Sequence, residues 1–594
     1  MSAHQPHIIY SQRLTARQGD VAHWAKRDRW ISNVRLLLFI VGGVVAGLAM
    51  GSLSWAWISM PMFLFGVFLF LHGQVRKRLH HAKRSVVFYE HGLARLEGRW
   101  AGIGVSGIEL QDVGHPYAAD LDIFGPGSLF ELLCTARTSG GVQTLAQWLK
   151  KPSGIEEILA RQSAVKKLCP HLDLREALVL LGPNHRTELH AEELLTWSEG
   201  PRRSNVKWHR MIISALTIIM LISLAGLALG LYGLGPVLLV AIINGVYAKV
   251  LQERVHEILS YIRRHGQDLS LLAEFLEYIE TVSFTSPQMT LLQQQLQIGT
   301  TKPSQQLGKL IRLLTLYDST RNQFFAMIAW IVLWATHIAL AMEAWREISG
   351  GSLRRWLMVI GEFEALISLS GYAYEHPDDP FPEVVESNLL FESAGLGHPL
   401  LPVATSVRND INLGHPAKMI LISGSNMSGK STMLRTVGIN AVLAMAGAPV
   451  RAHRLKCSRM SIGATLRIQD SLQAGQSRFY AEITRVSQVM SLTNGPLPVL
   501  FLFDEILHGT NSHDRMIGTR AIIRRFLERK AIGLVTTHDL ALTDIGNALS
   551  PQVMNMHFEY HVDNGKIQFD YRMRPGVVKT SNALALMRAV GLAV

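Results

Sequence analysis

The sequence predicts an α-helical region carrying two transmembrane helical hairpins, followed by an α/β domain. Three observations predict this. Two pairs of long uncharged apolar runs occupy the first half of the chain, each pair flanked by arginine and lysine. The segments between and after them keep helical spacing with few breakers. The last third holds short apolar runs that end in glycine-rich or acidic clusters, as buried strands of a parallel sheet do.

Composition agrees. A chain of 594 residues favours several domains. Hydrophobic residues make up 48% and charged residues 18%, with a mean hydropathy of +0.18, which points to membrane segments. The net charge of +12 has two explanations, nucleic-acid binding or cytoplasmic flanks of membrane helices. The three cysteines, Cys134, Cys169 and Cys457, have no metal-ligand spacing and read as reduced thiols. His80 and His81 sit in a basic run and read as solvated.

Residues 1–35 form a basic segment too long and polar for the start of a signal peptide. Residues 36–53 and 61–71 are apolar, joined by an uncharged link with Trp55 and Trp57, and together with flanking positions give a first hairpin over 36–72. Arg76, Lys77, Arg78, Lys83 and Arg84 follow at the start of a basic linker, 73–114. Both ends of the hairpin are basic and its link is not, so both ends are expected in the cytoplasm. A second hairpin, 211–249, turns at Tyr232-Gly-Leu-Gly-Pro236 and again has basic ends, with Arg202, Arg203, Lys207 and Arg210 before it and Lys249 and Arg254 after it. A third apolar run, 324–342, contains His337 and has arginine on both flanks. One crossing there would put the remainder of the chain outside, so it is read as a buried helix of the soluble part. The hairpin 211–249 and this run lie within a helical region, 115–376. The cluster Pro377-Asp-Asp-Pro380-Phe-Pro382 marks the boundary to a last domain, 377–594.

That domain carries the chemistry. The run 419–423 reads as a strand, the loop Gly424-Ser425-Asn426-Met427-Ser428-Gly429-Lys430-Ser431-Thr432 fits G-x-x-x-x-G-K-[ST], and a helix follows. Such a loop turns backbone N–H groups toward phosphate oxygens at a helix N-terminus. The domain is therefore expected to be a P-loop NTPase that binds ATP. Lys430 is placed to reach the β- and γ-phosphates, and Ser431 to ligate Mg²⁺. The apolar run 499–503 ends in Asp504 and Glu505: the first acid suits Mg²⁺, the second suits activation of water. A third apolar run, 531–536, ends in Thr537-His538, and a polar group there points into the ligand crevice of a parallel sheet. Ser477 reads either as the N-cap of a helix or as part of a helix N-terminus offered to the γ-phosphate of a second subunit.

These motifs, in this order, resemble the ATPase domain of the DNA mismatch-repair MutS family. The family loop G-P-N-M-G-G-K-S-T is similar to Gly424–Thr432, D-E-x-x-x-G-T to Asp504-Glu505-Ile-Leu-His508-Gly509-Thr510, and T-H to Thr537-His538. S-x-F-x-x-E resembles Ser477-Arg-Phe479-Tyr-Ala-Glu482, and the G-R-H-P segment resembles Gly397-His398-Pro399. Lys579-Thr-Ser-Asn-Ala resembles the start of the family's terminal dimerising segment. A weaker resemblance to the family's core and lever region begins near Asp122 and includes Gly141 to Leu145 and Trp148-Leu149. Ser425, Ser428 and His508 depart from the family pattern without removing a catalytic group. Phe88-Tyr89-Glu90 imitates the family's mismatch-reading Phe-x-Glu, but the stretch around it is too short for that domain, and the connector domain is missing too.

The resemblance implies a dimeric, Mg²⁺-dependent ATPase of the MutS type, with Ser477 of one subunit completing the site of the other and hydrolysis moving helical levers. It implies DNA binding, mainly through phosphates, and a relation to mismatch repair or recombination. The hairpins add a multi-pass anchor in the cell's inner membrane with the ATPase domain in the cytoplasm. An ABC-type transporter is the first alternative. It would carry an L-S-G-G-Q-type signature where this chain has Gln476-Ser-Arg-Phe. A nucleotide-gated membrane scaffold with slow or no hydrolysis is the second.

Overall fold

The structure is a computed structural model that describes residues 5–51, 54–181, 191–200, 206–297, 301–321, 323–386, 389–425, 427–467, 478–508, 510–563 and 566–578. The chain forms two compact units. One comprises Met1–Thr135, Ala146–Leu180 and Ser368–Val594, the other Ala136–Leu145 and Leu181–Ile367.

The first unit begins with two long helices, Gln5–Ala49 and Ser59–Leu96, joined through a single 3₁₀ turn at Trp55–Ile58. They run antiparallel: Tyr10 meets Tyr89 at one end (centroids 5.8 Å) and Trp30 meets Phe68 farther along (6.1 Å). The basic segment and the linker expected on either side of the apolar runs are thus largely helical themselves, because no proline interrupts either stretch after the first turn. At the foot, Tyr10, Tyr89, Leu172 and Tyr374 form a buried cluster. Tyr10 donates to Glu375 (3.2 Å), Arg95 grips the same carboxylate (2.6–3.0 Å), and Tyr89 and Arg17 bind Glu176 (2.6 and 2.7 Å). Gly92 is required here, since a Cβ would come within 2.5 Å of the Tyr10 ring. Phe88-Tyr89-Glu90 lies inside this helix with Tyr89 fully buried, so it is a packing element rather than an exposed wedge.

The C-terminal part of this unit holds two sheets. The smaller has the order β1 (Glu383–Val385), β5 (Arg454–Ser458), β2 (Phe391–Leu396), β3 (Asn409–Leu413). The larger has the order β10 (Lys566–Pro575), β9 (Val553–Asp563), β4 (Met419–Ser423), β8 (Ala531–Thr537), β7 (Val499–Phe503), β6 (Ser461–Thr465). Strands β9, β4, β8, β7 and β6 are mutually parallel, and β10 returns antiparallel on β9. Every residue of β4, β7 and β8 is buried, as strands covered on both faces must be. On one side Phe501, Phe503 and Phe526 pack in tilted and edge-to-face contacts with centroids 4.5–5.4 Å apart, and each such buried ring contributes about 1.5–3 kcal/mol. The helix Lys430–Ala446 is buried along almost all its length.

Among its described residues, the regular elements of the second unit are all helices, from Ala191–Glu199 to the helix beginning at Leu353. Its longest helices are Val206–Ala228 and Gly235–Arg264, with Tyr232 in the turn donating to the carbonyls of Ile222 (3.2 Å) and Ser223 (3.0 Å). These two and the two long helices of the first unit are, among the described residues, the four helices long and apolar enough to cross a membrane. The run 324–342, expected as one buried helix, is divided into Gln323–Ile331 and Trp334–Ser349. The physical reason is Leu333, which adopts a left-handed φ of +53° and ends the hydrogen-bonded ladder.

Candidate active site

The sheet register builds the site. β4, β8 and β7 are adjacent and parallel, with Ser423 paired to Thr537 and Phe503 to Val535. Their carboxyl ends therefore open at one edge, and Gly424, Asp504, Glu505 and His538 follow directly from them. A cavity of about 600 Å³ opens there, within the range of small-molecule sites. Met427, Gly429, Lys430, Ser431, Thr432, Asp504 and Glu505 line one side. His398, Asn409, Phe558 and Tyr571 line the other.

Lys430 begins the helix Lys430–Ala446 and is only 4% exposed. Its Nζ donates to the carbonyls of Gly424 and Ser425, both at 2.8 Å, and lies 4.0 Å from Glu505 Oε1. Burial lowers its pKa from the usual lysine value, and the charges of Glu505 and Asp504 oppose that shift. Gly429 precedes it with φ +101°, and a Cβ there would sit 3.1 Å from the Tyr571 ring, so glycine is needed twice over. The Ser428 hydroxyl is buried and has no hydrogen-bond partner among the described residues. A loop with a buried ammonium, an orphaned hydroxyl and a helix N-terminus suits a polyphosphate.

The acidic end of β7 is held from three sides. Thr536 donates its hydroxyl to Asp504 and accepts the Glu505 N–H at 3.0 Å. Glu505 (φ +51°) and Leu507 (φ +57°) are both left-handed, a conformation costing about 1–3 kcal/mol each for such residues. The buried Glu482 carboxylate accepts the Leu507 N–H and so offsets part of that cost. Glu505 is the hub. Its Oε1 lies 3.3 Å from His538 Nδ1, and its Oε2 lies 3.9 Å from His508 Nε2. The two imidazoles meet edge to face at 5.0 Å. His538 thus stands beside Glu505, outside the residues that line the cavity.

The structure brings together Lys430, Asp504, Glu505 and His538, with Ser431 and Thr432 in the cavity wall. Asn426, Ser477, Gly509 and the segment from Lys579 onward lie outside the described residues. Four residues of the site escaped sequence reasoning. His508, read only as a departure from a motif, faces Glu505. Tyr571 comes from β10 and had no local signal. His398, read only within the Gly397-His398-Pro399 segment and given no site role, is buried in the cavity wall, and burial, with the Arg435 charge as a lesser cause, pushes its pKa down to about 4. Asp120 accepts the N–H groups of Leu466 (2.7 Å) and Arg467 (2.8 Å) and pairs with Arg485 (2.9 Å). It thereby holds the end of β6 to the helix Arg478–Leu492, which carries Glu482.

No group of three or more metal-ligating side chains exists among the described residues. Mg²⁺ does not need such a group, since it is bound through one or two protein oxygens, substrate phosphates and water. Ser431 and Asp504, both in the cavity wall, are the residues that suit it.

A family model described as MutS domain V matches residues 420–593. The DNA mismatch repair protein MSH6 of Arabidopsis thaliana is 30% identical over 269 residues, covering 42% of this chain and 20% of that protein. The DNA mismatch repair protein MutS of Roseiflexus sp. (strain RS-1) is 30% identical over 219 residues, covering 36% and 20%. Endonuclease MutS2 of Lactococcus lactis subsp. cremoris (strain SK11) is 30% identical over 197 residues, covering 33% and 25%. The matches span only 20% to 25% of the length of these relatives. The matched segment contains the loop, both acids, His508 and His538, and over it the chain is similar to domain V of the MutS family.

Proposed function

We propose that this chain is a membrane-anchored ATPase of the MutS type that binds and hydrolyses ATP as a homodimer. The observation that carries the reading is the convergence of Lys430, Asp504, Glu505 and His538 at the ends of three adjacent parallel strands. The loop from Gly424 to Thr432 cradles the phosphates, and Lys430 exchanges its two loop carbonyls for β- and γ-phosphate oxygens. Ser431 and Asp504 would hold Mg²⁺, which supplies charge neutralisation at those phosphates when bound. Glu505 orients the attacking water and takes its proton, while His538 and His508 fix the carboxylate. The Tyr571 ring offers a face for the base. Ser477 of a second subunit completes the γ-phosphate end.

Anchoring by two hairpins rests on the four long apolar helices, their basic flanks and their surfaces. Phe63 in the first hairpin is 72% exposed, with Phe39 and Phe70 similarly open, an apolar surface suited to lipid. The same flanks support a cytoplasmic ATPase domain. Relatives named for mismatch repair make DNA the first candidate for the client of the moving helices, held through phosphates.

The test is ATP hydrolysis by the full chain in lipid vesicles, with Lys430→Ala as the blank and with homoduplex, mismatched or branched DNA added. The reading expects Lys430-dependent hydrolysis that DNA stimulates. Hydrolysis indifferent to every DNA would remove DNA as the client in favour of a membrane or protein partner. No Lys430-dependent hydrolysis would overturn the ATPase itself.

A further inference from the structure

The broken run 323–349 combines features that a soluble helix pair does not need. Its halves, Gln323–Ile331 and Trp334–Ser349, are 9 and 16 residues long. At 1.5 Å per residue they reach only about 13 and 24 Å, short of the roughly 30 Å of a bilayer core. Arg321 precedes the run, Arg354 and Arg355 follow it, and Arg346 lies in the last turn of its second half.

The break between the halves is sealed against the second hairpin. Leu333 is buried in one cluster with Val206, Ile213, Leu251 and Leu340. The Thr217 hydroxyl donates to the carbonyl of Val332 (3.3 Å), which the break frees from its ladder, and lies 3.0 Å from His337 Nε2. Thr217 stands seven residues past Arg210, the last charge before the apolar run, so it sits about 10 Å along the uncharged part of its helix. Meanwhile the first half-helix keeps an open apolar face. Ile328 is 56% and Trp330 66% exposed, like Ile222 on the hairpin at 63%.

We propose that residues 323–349 form a re-entrant element that dips into the bilayer beside the second hairpin and leaves on the side it entered, with Ile328 and Trp330 against lipid. The inference rests on the membrane reading of 211–249. Non-helical backbone at membrane depth is tolerated only where protein satisfies it, and Thr217 does so for Val332. Basic residues on both flanks keep both ends on one side, and entry without crossing preserves the even number of spans. The Trp334 indole donates to the Leu316 carbonyl (2.9 Å), which closes the other side of the break.

The experiment places a benzophenone amino acid at single positions of the full chain, reconstituted in phosphatidylethanolamine and phosphatidylglycerol vesicles. The positions are Trp330, Ile328 as a second probe if the first variant does not fold, Ile222 on the hairpin, and Met358. Met358 is 60% exposed on the helix Leu353–Glu375 and serves as the water-facing control. After irradiation, lipid adducts are read by mass. The proposal expects adducts at 330 and 328 comparable with 222 and at least about tenfold above 358, as for an inserted apolar face. Lipid at 222 with none at 330 or 328 would overturn the re-entrant element and leave the hairpin reading intact. Crosslinks from 330 to a second copy would overturn it in favour of a subunit interface. No lipid at 222 would overturn both.

Discussion

Replacing Glu505 by glutamine tests the hub of the site. The side chain keeps its shape and loses only its charge and basicity. In the structure the carboxylate faces His538 Nδ1 at 3.3 Å and Lys430 Nζ at 4.0 Å. At 4.0 Å and an effective dielectric near 20 the attraction to Lys430 is at most about 4 kcal/mol. Lys430 keeps its two carbonyl partners, so the loop should hold its form. Loss of a positioned general base costs about 10²- to 10⁴-fold in rate, or roughly 3–5 kcal/mol of barrier. ATP binding should not weaken, because a negative charge leaves the neighbourhood of a polyanion. The assay pairs phosphate release under single-turnover conditions with equilibrium binding of a fluorescent ATP analogue. A drop in kcat of at least about 100-fold with Kd unchanged or tighter is the expected result. A drop below about tenfold, or a parallel loss of affinity, would refute the assignment of Glu505 as base and leave it a structural partner of Lys430.

Thr536→Val strips the Asp504 partner and leaves the half-buried Glu505 N–H unmatched, which should cost about 1–3 kcal/mol of thermal stability and slow hydrolysis more than it weakens ATP binding. Thr536→Ser should restore both, and equal loss in the two variants would contradict the role of the hydroxyl. His398 stays neutral in the fold down to about pH 4, whereas in the unfolded chain it protonates near 6.5. The unfolded state therefore binds the extra proton between those values, and stability falls as pH drops from 6.5 to 4, by up to about 3 kcal/mol, with no such contribution above 6.5. His398→Gln should flatten that acid limb in melting curves taken without nucleotide, and parallel pH profiles for the two proteins would argue against a buried neutral imidazole. Asp120→Ala abandons two backbone N–H groups and Arg485, so it should cost about 3–5 kcal/mol in denaturant titrations. Asp120→Asn, which keeps an acceptor, should cost less.

The strands that carry the phosphate loop, the acids and His538 were legible because each is a short apolar run closed by a polar cluster. Met419–Ser423 and Val499–Phe503 match the expected runs residue for residue, and Ala531–Thr537 extends its run by one. Burial on both faces leaves no room for an alternating pattern to blur the signal. The strands β1, β2, β3 and β5 were not legible. They are three to six residues long and rich in Glu, Asn, Arg and Lys, and their pairing joins segments far apart in sequence. The same holds for site residues. Lys430 and Glu505 stand in local motifs, but Tyr571 and Asp120 reach the site or its supports only through tertiary packing, and no spacing announces them. The break at Leu333 escaped notice because leucine is a good helix former, and what sets its φ is packing against Val206, Ile213 and Leu251.

Each compact unit contains one of the two apolar hairpins: 36–72 falls in the unit with the nucleotide cavity, and 211–249 in the helical unit. On the proposed membrane reading this constrains how ATP could do work. In the first unit the hairpin's long helices are bolted to the domain by a buried pair, Arg95 with Glu375, and by the Tyr10 and Tyr89 hydroxyls on Glu375 and Glu176. Leaving either charge of such a buried pair unpartnered costs about 3–5 kcal/mol, so the joint should move as a rigid piece. On that reading, tilting the first unit would drag its apolar helices out of lipid. A client would have to be gripped alongside the membrane, which makes DNA stimulation in vesicles, rather than in detergent, the more demanding form of the hydrolysis test.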